Sequence, residues 1–101
     1  MSFKWYGLRF EGPFREPGDL IPRAGVYAIW SNVGHGWRLL DVGESDDVRA
    51  RVLAHDRKDC WRRNAPDEVW YGAHYTDASS ESRRGLEAQL RAREHPPCGP
   101  A

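Results

Sequence analysis

Apolar positions along this chain fall into short runs, and glycine, proline or asparagine cuts each run before it grows long. Val26-Tyr27-Ala28-Ile29-Trp30 is rich in β-branched and aromatic residues and follows Pro22 and Gly25, which predicts a strand. Ser31 to Gly36 reads as a turn, and Trp37 to Val42 as the returning strand of a hairpin. Gly43-Glu44-Ser45 then breaks the pattern. Ser45 or Asp46 is placed to cap a helix whose first acids suit the positive end of its dipole. At helical spacing Val48, Arg51, Val52 and His55 share one arc. The valines face the core, so Arg51 and His55 lie one turn apart at its edge. After a basic connector, Glu68 to Thr76 alternates as a third strand. Asp77 to Ser80 offer caps for a last helix that runs to about Glu94 and stops before Pro96-Pro97.

Residues 1–24 behave differently. The aromatic run from Phe3 to Phe10 is followed by Gly12-Pro13, Pro17-Gly18 and Pro22, which reads as an arm carrying at most one edge strand. Its aromatics pack it on a domain spanning 25–99. Trp5 and Tyr6 fit core packing better than substrate stacking. The order strand, strand, helix, strand, helix predicts one small sheet covered by helices.

Composition sharpens this picture in three places. The 40% hydrophobic content and five tryptophans suffice for a modest core in 101 residues. No apolar run reaches membrane-spanning length and the N-terminus shows no signal pattern, so the expectation is a soluble, cytoplasmic protein with no membrane partner. Cys60 and Cys98 form neither a CxxC motif nor a disulfide-framework spacing, which agrees with reduced thiols. With His55 and His95 they are acceptable zinc ligands in type, but the spacing is no familiar finger. Net charge is zero, yet Arg49, Arg51, Arg57, Lys58, Arg62 and Arg63 face only Asp56 and Asp59 between residues 49 and 63. Trp61 inside this basic run makes Arg49, Arg57, Lys58, Trp61, Arg62 and Arg63 a candidate nucleic-acid surface, with a solvated helix face as the plain alternative.

Gly25-Val26-Tyr27, Asp41-Val42-Gly43, Arg51 eight residues after Gly43, His55 one turn later, and Leu86-Glu87-Ala88-Gln89-Leu90 ahead of Pro96-Pro97 stand in an order that resembles the GIY-YIG nuclease domain, from about Gly25 to Gly99. The resemblance implies an α/β fold with a small three-stranded, mainly antiparallel sheet flanked by helices. It also implies a metal-dependent endonuclease acting on DNA more than RNA, with Mg²⁺ or Mn²⁺ as cofactor. Tyr27, Arg51, His55 and Glu87 take the catalytic positions, with Glu87 as the metal ligand. Those types suit phosphodiester hydrolysis. Arginine's planar fork holds a phosphate. Tyr27 is the general base if Arg51 or a metal lowers its pKa from about 10. His55 assists proton transfer or holds a phosphate. Asp41 departs from the family's second tyrosine, and either takes over as metal ligand or base or marks lost catalysis; Tyr71 or Tyr75 could supply a substitute phenol. Cys98 or Gly99 stands where the family has asparagine. Taken singly, each residue has a plainer role: Tyr27 in packing, Arg51 paired with Asp47, His55 structural, Glu87 on an exposed helix. The alternatives are a catalytically inactive nucleic-acid-binding module and a protein-interaction domain, and a protein partner or oligomer could supply specificity.

Overall fold

The structure is a computed structural model that describes residues 1–34, 36–65 and 68–99. In chain order the elements are β1 (Ser2–Trp5), β2 (Leu8–Phe14), a single 3-10 turn at Pro17–Asp19, β3 (Gly25–Val33), β4 (Gly36–Ser45), α1 (Val48–Leu53), α2 (Lys58–Asn64), β5 (Val69–Tyr75) and α3 (Ser80–Glu94). The five strands form one antiparallel sheet in the order β1-β2-β5-β3-β4.

Three strands were expected, and the two extra ones come from the N-terminal arm. Tyr6 and Gly7 adopt φ of 53° and 74°. Two positive-φ residues make the tight turn whose twist matches a hairpin. The turn pairs Phe3 with Phe10 and Trp5 with Leu8, so all four apolar side chains project to one face and join its core. The arm is therefore part of the sheet rather than a cover for it.

Helices flank both faces. On the first, Leu20, Tyr27, Ile29 and Leu40 pack with Val48 and Val52 of α1 and Trp61 of α2. On the second, Val26, Ala28, Trp30, Leu39 and Val42 pack with Phe10 and with Leu90 of α3. β3 is buried on both faces because β4 and β5 flank it and helices cover it above and below.

Strict alternation fails in β2, where the register shifts between Glu11 and Phe14, and again between β3 and β4, where the failure positions the site. The β3–β4 register shifts so that Ile29 lies opposite Asp41 and Trp30 opposite Leu39, leaving Leu40 as the extra residue of a bulge. Leu40 and Asp41 thus both face the first side, while Leu39 and Val42 face the second.

The hairpin strands are longer than expected. β4 continues through Gly43 to Ser45, and of the expected turn at 31–36, His35 lies outside the described residues. The cap of α1 is Asp47, whose carboxylate accepts the Ala50 N–H at 3.0 Å; Ser45 Oγ accepts the Asp47 N–H instead. The basic connector forms α2 because Trp61 inserts into the core at 1% exposure. α3 is capped by Ser79 and ends at Glu94.

Cys60 and Cys98 are joined in a disulfide, which overturns the expectation of reduced thiols and removes both from any zinc site. The bond ties the segment after α3 to α2, and the Cys98 N–H donates to Leu40 O in the bulge at 2.9 Å. No helix among the described residues is long and apolar enough to cross a membrane.

Candidate active site

Asp41 is wholly buried on the first face. Its Oδ1 accepts from the Val42 N–H at 2.9 Å, Arg57 Nη2 at 3.3 Å and Arg91 Nη2 at 2.6 Å; its Oδ2 accepts from Arg57 Nε at 2.8 Å and Trp61 Nε1 at 2.9 Å. A carboxylate offers about four lone-pair sites, so five donors leave none for a metal. The expected role of Asp41 as metal ligand or base is replaced by a structural one. The bulge is the reason, because it turns Asp41 inward against α2.

Arg57 carries the effect onward. Its backbone N–H donates to His55 Nδ1 at 3.0 Å. With Nδ1 accepting, the neutral ring holds its proton on Nε2, which donates to Tyr27 Oη at 2.8 Å. The Tyr27 O–H proton is thereby left for a group outside this pair. Gly43, opposite Tyr27 across the sheet, makes room for the ring: a Cβ there would lie 2.1 Å from Tyr27 Oη.

Burial sets the protonation of both residues. Tyr27 is 2% exposed, and burial, reinforced by the Asp41 carboxylate, pushes its pKa up to about 12 although Arg51 and Arg57 oppose this. The phenol is protonated at neutral pH, contrary to the depressed pKa expected of a ready base. Burial, with help from Arg51 and Arg57, lowers His55 to about 4, so the imidazole is neutral.

Glu87 comes from the other side of the sheet. α3 packs on the second face, but β4 is the edge strand, and side chains of α3 reach around it. Arg91 Nη1 donates to Cys98 O at 2.8 Å while Nη2 reaches both Asp41 and Val42 O. Arg91 Nε then holds Glu87 Oε2 at 3.3 Å. Burial raises the Glu87 pKa against the pull of Arg91, and the Glu87 charge itself acts on Tyr27. A continuous set of contacts therefore runs Glu87–Arg91–Asp41–Arg57–His55–Tyr27. Arg83 repeats the device about two turns earlier on α3, buried at 4% exposure and paired with Glu44 and Asp46. Sequence reasoning passed over Arg83 and Arg91; the four-residue spacing of Arg83, Glu87 and Arg91 was the available signal.

The basic run divides. Arg49, Arg62 and Arg63 are exposed, and Arg51 keeps 39% side-chain exposure while pairing with Asp56 at 3.2 Å rather than with Asp47. Arg57 is spent on Asp41 and Trp61 on the core, so these two are not the phosphate or stacking contacts expected of them, while Lys58 donates to the Leu53 carbonyl in an exposed hydrogen bond. Tyr75 Oη accepts the Ile21 N–H and Tyr71 packs against Trp61, which gives both tyrosines structural partners.

Comparison with known proteins adds no relative: no family model, no curated protein and no solved structure matches this chain.

Two outcomes follow for stability. Asp41→Asn removes the charge that Arg57 and Arg91 share, and breaking a partly buried pair of this kind is expected to cost about 2–4 kcal/mol. Thermal melts should show a fall of roughly 10–20 °C; an unchanged melting temperature would count against the hub. His55, neutral when folded and with a pKa of about 4 against 6.5 in an unfolded chain, gives the unfolded state the extra proton between those values. Stability should therefore rise with pH from 4 to 6.5, by up to about 3 kcal/mol from this group. Urea titrations of the parent and of His55→Gln across that range check it, and an equal acid slope in both would contradict it.

Proposed function

We propose that this protein is a metal-dependent phosphodiester hydrolase of the GIY-YIG type, acting on nucleic acid and on DNA in preference to RNA. The observation that carries the reading is the network joining Tyr27, His55 and Glu87, residues up to 60 positions apart in sequence, with Arg51 acting on the same tyrosine. Packing alone gives no reason for two carboxylates, two guanidinium groups and an imidazole to be joined in one line of polar contacts that ends on a buried phenol.

Glu87 suits a single hard cation. Its Oε2 rests on Arg91, and no hydrogen bond among the described residues uses Oε1. Mg²⁺ commonly binds one or two carboxylates and keeps several waters, and among the described residues no cluster of three ligating side chains occurs. When bound, such a cation supplies charge neutralisation on the phosphoryl oxygens and support for the leaving oxygen. Arg51 exchanges Asp56 for a phosphate, for which its fork is suited. His55 Nε2–H fixes the Tyr27 oxygen and stabilises it should it lose its proton. Arg49, Arg62 and Arg63 extend the positive surface for the flanking strand.

A second reading, binding without cleavage, is favoured by the Tyr27 pKa of about 12, which leaves little phenolate in the free protein. One set of assays separates the two. On plasmid DNA with Mg²⁺ the hydrolase should show a rate rising about tenfold per pH unit between pH 6 and 9, with Tyr27→Phe and Glu87→Ala each losing about 10²-fold or more. Binding should weaken steeply with salt, and reversing Arg62 and Arg63 should weaken it for all sequences alike. Salt-dependent binding with no cleavage establishes the binding module. Cleavage that survives Glu87→Ala removes the assigned site, and absence of binding at low salt removes both readings.

A further inference from the structure

A cavity of about 410 Å³ opens on the second face of the sheet, lined by Phe3, Trp5, Pro13, Trp30, Trp37 and Glu94. None of its lining residues belongs to the network around Asp41 and Tyr27. We propose that it binds a small organic cation, a quaternary or methylated ammonium group carried on an apolar body.

The shape of the walls argues for a rounded ligand. Trp5 meets Trp30 at 70° with centroids 4.7 Å apart, and Phe3 meets Trp30 at 76° with centroids 6.2 Å apart. Walls at steep angles form a corner, whereas a flat base needs parallel faces to lie between. A cation gains from each ring face it approaches within about 6 Å. Trp37, 48% exposed and held edge-on to Trp70 at 83°, stands at the solvent side.

Charge argues for the sign. Among the described residues Glu94 is the only charged one lining the cavity, and no basic side chain lines it. Its Oε2 accepts the Tyr6 hydroxyl, while no hydrogen bond among the described residues uses Oε1. The guanidinium of Arg93 is stacked over Tyr6, 5.3 Å from the ring centroid, outside the lining. An anionic ligand would meet a carboxylate and the negative faces of indoles. The volume lies within the usual range for small-molecule sites, larger than an ammonium head alone, which is why an apolar body is part of the proposal.

The test is a titration of the intact, disulfide-bonded protein with choline and with phenyltrimethylammonium, followed by the indole N–H resonances of Trp5 and Trp30. At least one cation should give a saturable shift, and the neutral tert-butyl isostere of the same compound should bind about tenfold more weakly or worse. Trp37→Ala and Glu94→Gln change exposed residues and are expected to keep the fold; the first should weaken binding about tenfold and the second severalfold. Equal binding of the isostere, indifference to Glu94→Gln, or no saturable shift with either cation would overturn the proposal.

Discussion

A carboxylate with no access to water, held by two guanidinium groups and an indole N–H, is the constraint on which the rest of this structure depends. Moving Asp41 and its partners out of water costs several kcal/mol per ion, and only good geometry with full hydrogen bonding offsets it. The five donors around Asp41 meet that condition. They come from different elements: β4 itself, α2 with the turn before it, and the last turn of α3. The carboxylate therefore fixes how α2 lies on the sheet and how α3 passes its edge. The disulfide acts at the same corner, since the Cys98 carbonyl and the Asp41 carboxylate share one arginine.

The chemistry inherits this arrangement. Because Arg57 is held by its side chain, its backbone N–H is presented to His55 Nδ1, and that contact decides which imidazole nitrogen carries the proton. Because Arg91 is held, Glu87 on α3 is tied through one arginine to the carboxylate on the Tyr27 side of the sheet. Burial then pushes the tyrosine and the histidine in opposite directions, to about 12 and about 4, so both are neutral across the physiological range. The result is a neutral, hydrogen-bonded pair with the guanidinium groups of Arg51 and Arg57 and the Asp41 carboxylate acting on it.

Much of this was legible in the sequence, for definable reasons. The β3–β4 hairpin, β5 and α3 follow from apolar period and caps, while Tyr27, His55 and Glu87 were singled out by the family resemblance, and the contacts that link them through Arg57 and Arg91 were not foreseen. The direction of Asp41 was not legible, because alternation gives the wrong face once Leu40 bulges, and no residue type announces a bulge. The fates of Arg57 and Trp61 were hidden for the same reason: a basic run reads as solvated until the buried acid it serves is located. The β1–β2 hairpin was missed because Gly12-Pro13 and the later prolines outweighed Tyr6-Gly7 as a turn. The disulfide escaped because two cysteines 38 residues apart carry no framework spacing.

The most direct test of the central claim is a double-mutant cycle between Asp41→Asn and Arg91→Gln, read by urea unfolding at neutral pH. If the buried carboxylate holds α3 through Arg91, the two losses should fall short of additivity by about 1–3 kcal/mol. Losses that add to within about 0.5 kcal/mol would mean that the two residues do not act together. Asp41 would then not be the group that ties α3 to the first face of the sheet.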